Sequence, residues 1–133
     1  MNYNGYIIKF SDGKDLPLKY LQDISPMPNK TTDVDSYQDG DGELVRNVLP
    51  HKATKFELNT IPLNVSEWEE FISAFNFRYS DAGQRQIDLK FFDFEKCEYR
   101  DGKFYVPDWD MKITRMFDND LIIDSVRLAL IEY

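Results

Sequence analysis

The sequence predicts a mainly β, α+β fold: an antiparallel β-sandwich or barrel flanked by a single α-helix at about 66–75, with a long loop at 24–42. Three observations carry that prediction. Apolar and polar residues alternate over several short runs, the period of half-buried strands. One stretch switches to the 3.6-residue period of an amphipathic helix. A third stretch, rich in Pro, Gly and Asp, has no apolar period at all. Hydrophobic residues make up 42% of the 133 and aromatics 15%, enough to build a core and to exclude wholesale disorder.

The elements follow in chain order. Tyr6, Ile8 and Phe10 alternate with Ile7 and Lys9, then comes the turn sequence Ser11-Asp12-Gly13-Lys14, then the alternating Leu16, Leu18 and Tyr20. This predicts an opening hairpin. From Ile24 to about Gly42 the pattern dissolves into SPMPNKTTDVDSYQDGDG, a loop of a length that is uncommon in compact domains unless it serves a function. Phe56 and Leu58, flanked by Lys55, Glu57 and Asn59, restore the strand period. Ser66 with Glu69 reads as a capping box, and Trp68, Phe71, Ile72 and Phe75 then form one apolar stripe at i, i+3, i+4 and i+7.

The remainder reads as strands. Ile87, Leu89 and Phe91 alternate, and Phe92–Phe94 shift the phase, as at a bulge or strand end. Arg100-Asp101-Gly102-Lys103 offers an Asp-Gly pair suited to a type I′ hairpin turn. Met111, Ile113 and Phe117 predict a strand broken by Asp118-Asn119-Asp120. The run from Leu121 to Tyr133 contains Leu128-Ala129-Leu130-Ile131, the profile of a strand covered on both faces, central in a sheet or at a subunit contact. About seven short strands with one helix, no internal repeat and no linker predict one domain over residues 1–133.

Composition narrows the function. The net charge of −8 disfavours phosphate backbones and anionic lipid, so neither specific nucleic-acid binding nor membrane binding is expected. No signal peptide or membrane-length apolar run is present, and synthesis in a reducing, cytoplasmic compartment is expected. One cysteine, Cys97, and one histidine, His51, rule out an internal disulfide and a Cys/His zinc cluster. Cys97 is expected to be a small packed apolar group and His51 a loop residue.

Candidate chemistry is sparse. Asp33, Asp35, Asp39, Asp41 and Glu43 invite a calcium reading, but no register places the required Gly and Glu of an EF-hand loop. Asp93, Glu95, Glu98, Asp108 and Asp110 could supply a carboxylate pair for glycoside hydrolysis, which depends on a spacing that sequence does not fix. No Gly-x-Ser-x-Gly elbow and no phosphate-binding glycine pattern occurs. No catalytic residue, metal or cofactor is therefore assigned. Most of the aromatics sit in core phase; Trp109, between Asp108 and Asp110, is the one expected to be exposed for stacking or partner binding.

The stretch DVDSYQDGDGELVRNVLPHKATKFELNT (33–60) has a recognisable order: a polar loop, Arg46, then Lys52 or Lys55, then Phe56-Glu57-Leu58, then the Trp68–Phe75 helix. Phe104-Tyr105-Val106-Pro107-Asp108 and the terminal LALIEY follow. Together these resemble small tail-module proteins, of tail-tube or distal-tail type, from siphophages and prophages of Gram-positive bacteria; the match covers roughly the last 100 residues. The resemblance implies a non-enzymatic virion structural protein of the tube, terminator or distal tail and baseplate. It implies a helix-plus-β-sandwich unit that forms rings, typically hexameric, with itself and meets other tail proteins. It also implies assembly in the bacterial cytoplasm and residence in the virion tail. Asp33, Asp35, Tyr37 and Asp39 in the loop, with Arg46 and Trp109, are the expected interaction residues. The rival reading is a β-sandwich module binding a ligand or cell-surface carbohydrate, and behind it a small carboxylate hydrolase.

Overall fold

The chain enters the fold through a short strand β1 (Ile8–Phe10), a 3₁₀ turn (Leu18–Tyr20) and a long strand β2 (Leu21–Lys30). The computed structural model describes residues 2–30, 37–38, 42, 44–45 and 53–133. Two-residue strands β3 (Tyr37–Gln38) and β4 (Leu44–Val45) pair with each other. Then come β5 (Ala53–Thr60), β6 (Leu63–Asn64), α1 (Val65–Asn76), β7 (Gln86–Asp93), β8 (Glu98–Tyr105), β9 (Ile113–Met116), β10 (Leu121–Ile123) and β11 (Arg127–Glu132).

Six strands form one antiparallel sheet in the order β1-β7-β8-β11-β5-β2, and β6-β10-β9 form a smaller one. The large sheet curls into a half-barrel. Ile8 of β1 and Ile24 of β2, from opposite edges, line one apolar cavity of about 220 Å³, so the two edges approach across the curl. The mainly β, one-helix architecture expected from the sequence is the one observed.

Period 2 decides what faces inward. Ile87, Leu89 and Phe91 on β7, Phe104 on β8, Leu128 and Leu130 on β11, and Phe56 and Leu58 on β5 are all buried. Their rings meet edge to face: Phe91 lies 5.1 Å from Phe104 and 5.7 Å from Phe56 between centroids. From α1, Phe71 and Phe75 close over this layer, Phe75 also meeting Phe10 at 5.4 Å. Burying a single such side chain contributes about 1.5–3 kcal/mol, so these inward rows dominate stability. β11 lies between β8 and β5, the central position its apolar run predicts.

The helix starts two residues earlier at its cap than Ser66 and Glu69 imply. Asn64 is the N-cap: its side chain accepts from the Glu67 N–H at 2.9 Å, and Glu67 accepts from the Asn64 N–H at 3.0 Å. The spacing of three is the same, but β6 pairs Asn64 with Ile122 and holds it extended. An N-cap needs that extended backbone, so the sheet chooses which of the two boxes forms.

Four further expectations are corrected. The 11–14 turn forms, with the Gly13 N–H donating to Phe10 O at 2.9 Å. However, β1 pairs with β7 rather than with residues 16–20, and only a Lys9–Asp15 bridge joins the two arms. Pro17 lacks the N–H a ladder needs, and the chain coils into the 3₁₀ turn instead.

Residues 24–30 of the expected loop are strand, and 31–36 and 39–41 lie outside the described residues. β2 runs on to Lys30 and places Pro26 opposite Phe56. Pro26 and Pro28 are tolerated there because β2 is an edge strand.

Residues 100–103 do not turn; they lie within β8, with Gly102 opposite Leu89. The reversal is at 94–97. There the Asp93 side chain accepts from the backbone N–H groups of Glu95 (2.9 Å) and Lys96 (3.3 Å), and the Cys97 N–H donates to Asp93 O at 2.7 Å. Cys97 consequently sits at φ +53° and is exposed rather than packed. Gly102 serves a close approach: a Cβ there would come within 2.9 Å of both Phe91 and Glu132.

Candidate functional site

Of the residues expected to mediate interaction, Asp33, Asp35, Asp39 and Arg46 lie outside the described residues, as do His51 and all five acids of the calcium candidate. Tyr37 is in β3, its backbone paired with Val45. Trp109 is half-buried rather than exposed. It packs against Trp68 at 6.2 Å, and the Arg85 guanidinium stacks 4.7 Å above its ring. Arg85 is held there by Asp108 at 2.8 Å. Trp109 still lines an open groove of about 480 Å³ with Asp108, Asp110, Asp124 and Arg127. Among the described residues no group of three or more potential metal ligands converges, and no helix is long and apolar enough to cross a membrane.

The densest chemistry is elsewhere, at one end of the half-barrel. There each inward row ends in a polar residue: Phe91 is followed in phase by Asp93, Phe104 and Gly102 by Arg100, Leu130 by Glu132, and Phe56 by Thr54. With Asn29 of β2, five consecutive strands (β7, β8, β11, β5 and β2) each contribute one member. Asp93, Asn29, Thr54 and Glu132 are all buried, Asp93 to 1% exposure.

Arg100 is the centre of this cluster. Its Nε donates to Asp93 at 3.3 Å. Nη2 donates to Glu132 Oε1 at 2.9 Å, to Asn29 Oδ1 at 3.0 Å and to Thr54 Oγ1 at 3.1 Å, and Nη1 reaches the other Glu132 oxygen. The guanidinium lies 4.4 Å over the Phe91 ring. Asn29 Nδ2 donates to both Asp93 oxygens at 3.0 Å, tying β2 to β7 across the mouth of the curl. The Thr54 N–H donates to Glu132 at 3.0 Å. Planar Arg suits this: one rigid fork satisfies a bidentate carboxylate and two neutral acceptors at once.

The electrostatics favour fixed charges. Burial pushes the Asp93 carboxyl up, but hydrogen bonds from Asn29, the Glu95 and Lys96 N–H groups and Arg100 outweigh it and hold the group below the usual carboxylate range. Glu132 in turn raises the Arg100 guanidinium above its ordinary value. A carboxylate held ionised is a poor general acid, so Asp93, one of the hydrolase candidates, is an ion-pair partner here.

A second feature is the opposite in character. β9 is exposed along its whole length, and Met116 (81% exposed) and Phe117 (52%) stand out at the tip of the β9–β10 hairpin. Met111 and Ile113 are exposed beside them. The strand expected from Met111, Ile113 and Phe117 forms at Ile113–Met116, where β9 is the edge of the small sheet beside β10. The hub was missed too, although its signal was present: Thr54, Asp93 and Glu132 are polar residues in the inward phase of apolar strands.

Two solved chains share this fold. One belongs to the tail of an empty GTA particle, solved by helical refinement with C6 symmetry. It aligns with a TM-score of 0.52 at 15% identity, covering 98% of this chain and 94% of that one. The other belongs to the virion of a native gene transfer agent (GTA) particle, with a TM-score of 0.51, 14% identity and the same coverage. No curated protein matches the sequence. A family model matches residues 1–133, and the chain accordingly belongs to DUF6711, a family of unknown function.

Proposed function

We propose that this protein is a non-enzymatic structural subunit of a phage-type tail, a single-domain building block for a tube, terminator or distal-tail ring. It acts by associating with copies of itself, as a hexameric ring, and with other tail proteins. It is assembled in the bacterial cytoplasm and resides in the virion tail. The observation that carries this reading is the fold shared across 98% of the chain with a subunit of a C6-symmetric GTA tail.

The molecule's own surfaces support it. Among the described residues β2 leaves an open edge on the large sheet and β9 leaves one on the small sheet, and unpaired edges are templates for strand pairing between subunits. Met116 and Phe117 add exposed apolar area of the kind that marks protein interfaces. Against the carbohydrate-binding alternative, Arg85 already stacks on the Trp109 ring that a sugar would use.

The test is solution mass by light scattering across a wide concentration range, with electron microscopy of any assembled fraction, alone and with neighbouring tail proteins. Six-fold rings, alone or nucleated by a partner, are expected. A protein that stays monomeric under all these conditions and whose Trp fluorescence is quenched by sugars would overturn the reading in favour of the binding module.

A further inference from the structure

We propose that Arg100 is a positioning residue: through Asn29 and Thr54 it fixes the two roots of the 31–52 stretch, where the chain leaves the sheet after Lys30 and re-enters it at Ala53. The backbone ladder is irregular here. The β2–β5 register slips between Met27 and Lys30, leaving Lys30↔Ala53 as the last pair beyond the irregularity. Asn29 adopts φ +48° at that slip, a left-handed conformation that Asn tolerates better than most residues. Ladder hydrogen bonds alone therefore do not define the direction in which the chain departs.

Side chains replace them. The Asn29 N–H donates to Thr54 Oγ1 at 3.2 Å, so the two roots touch directly. Arg100 then holds both through one nitrogen, Nη2, which reaches Asn29 Oδ1 and Thr54 Oγ1. Each root has a second anchor that Arg100 also orients. Asp93 receives the Asn29 amide, and Glu132 receives the Thr54 N–H. Those carboxylates sit on β7 and β11, on either side of β8. The guanidinium thus ties the roots to the rigid middle of the sheet rather than to the edge that carries them. Its platform, Phe91, is fully buried.

The consequence for assembly rests on the tail-subunit reading above: roots held in one arrangement at residues 29–30 and 53–54 lose less freedom when this end of the sheet meets a neighbouring subunit.

Hydrogen exchange on the intact chain tests this, comparing wild type with Arg100→Met and with Phe10→Leu, a core change chosen for a similar loss of melting temperature. The amides of residues 29–30 and 53–54 are expected to exchange on the order of tenfold faster in Arg100→Met but not in Phe10→Leu, because local opening is read separately from global unfolding. Should Arg100→Met fail to fold, Asn29→Gly removes one root's side chain while accommodating its positive φ. That variant should loosen 29–30 and leave Thr54, still held by Glu132, protected. Root exchange that is unchanged, or that rises equally in the core variant, would overturn the proposal. Ring formation is scored separately. Loss of rings in a folded, loose-rooted variant supports the consequence for assembly, and undiminished rings refute it. A wild type that never forms rings refutes the tail reading, while the exchange data still decide the role of Arg100.

Discussion

The two ends of this molecule handle the burial rule in opposite ways. At the mouth of the half-barrel, Arg100, Asp93 and Glu132 carry charge into a largely buried site. At the β9–β10 hairpin, Met116 and Phe117 carry apolar surface into solvent. The first arrangement is complete within the chain. The Asp93 and Glu132 carboxylates accept hydrogen bonds from partners on β2, β5, β8 and the 94–97 turn, so the desolvation cost of the charges is offset locally. The second is incomplete, since nothing among the described residues covers Met116 or Phe117. The contrast teaches that the mouth is a device for internal order, whereas the hairpin is held by its ladder to the chain and leaves its apolar side chains exposed.

Breaking the internal device should produce the largest effect. Glu132→Ala removes the bidentate partner of Arg100 and the acceptor of the Thr54 N–H, leaving a cation with one carboxylate and a buried donor with none. A loss of about 3 kcal/mol is expected, the low end for a broken buried pair because Arg100 keeps some solvent contact. Urea unfolding measures it, and a change under 1 kcal/mol would mean that water replaces the carboxylate at no great cost. Gly102→Ala should follow at about 2 kcal/mol, since the new methyl overpacks a full site. Its Cβ meets the Phe91 and Phe104 rings and Glu132 together, at 2.9–3.0 Å. Neutral behaviour of this variant would show that Glu132 can swing aside without loosening its grip on Arg100.

A smaller effect is expected from acid alone. The folded state holds the Asp93 carboxyl below its ordinary value, so the folded form binds a proton less readily than the unfolded form. The stability this contributes is fully present above the unfolded carboxylate pKa, about 3.9. It is lost as pH falls from there through the lower folded-state value. Melting temperature should therefore drop over that acid window in wild type, and the drop should shrink in Asp93→Asn. An identical acid limb in the two proteins would assign the sensitivity to other carboxylates.

Much of the fold was legible because period 2 is a local property. Phe56, Leu58, Ile87, Leu89, Phe91, Leu128 and Leu130 declare their inward rows without reference to any partner. The Trp68–Phe75 stripe declares the helix in the same way. What the sequence could not declare was pairing. Two capping boxes of equal spacing were available, and the β6–β10 ladder selected Asn64. A turn signal was available at Asp101-Gly102, but the Asp93 side chain placed the reversal at 94–97. The hub is a harder case, because its five members come from five strands that are adjacent only once the sheet has curled. Arg100 and Gly102 looked like a turn for want of Phe91 and Glu132 beside them. Flanking aspartates suggested that Trp109 is exposed, whereas Trp68 and Arg85 half-cover it.

The hairpin should give the smallest change in stability and the clearest change in behaviour. Met116→Ser removes a side chain that is 81% exposed and makes no buried contact with the core cluster. Its effect on unfolding should fall within about 0.5 kcal/mol, as for other surface substitutions. Phe117→Ser should cost only slightly more, through loss of the Arg115 stacking at 5.2 Å. If the exposed strand is a subunit contact, both changes weaken self-association while the melting temperature of the monomer hardly moves. Light scattering and thermal unfolding on the same samples separate the two. A fall in association comparable to that of Arg100→Met, but with wild-type exchange at residues 29–30 and 53–54, would show that the hairpin and the mouth act independently, one as the surface that meets a neighbour and the other as the frame that orients the chain. Association unaffected by either serine would shift the interface to the edge of β2, where main-chain pairing needs no apolar side chain.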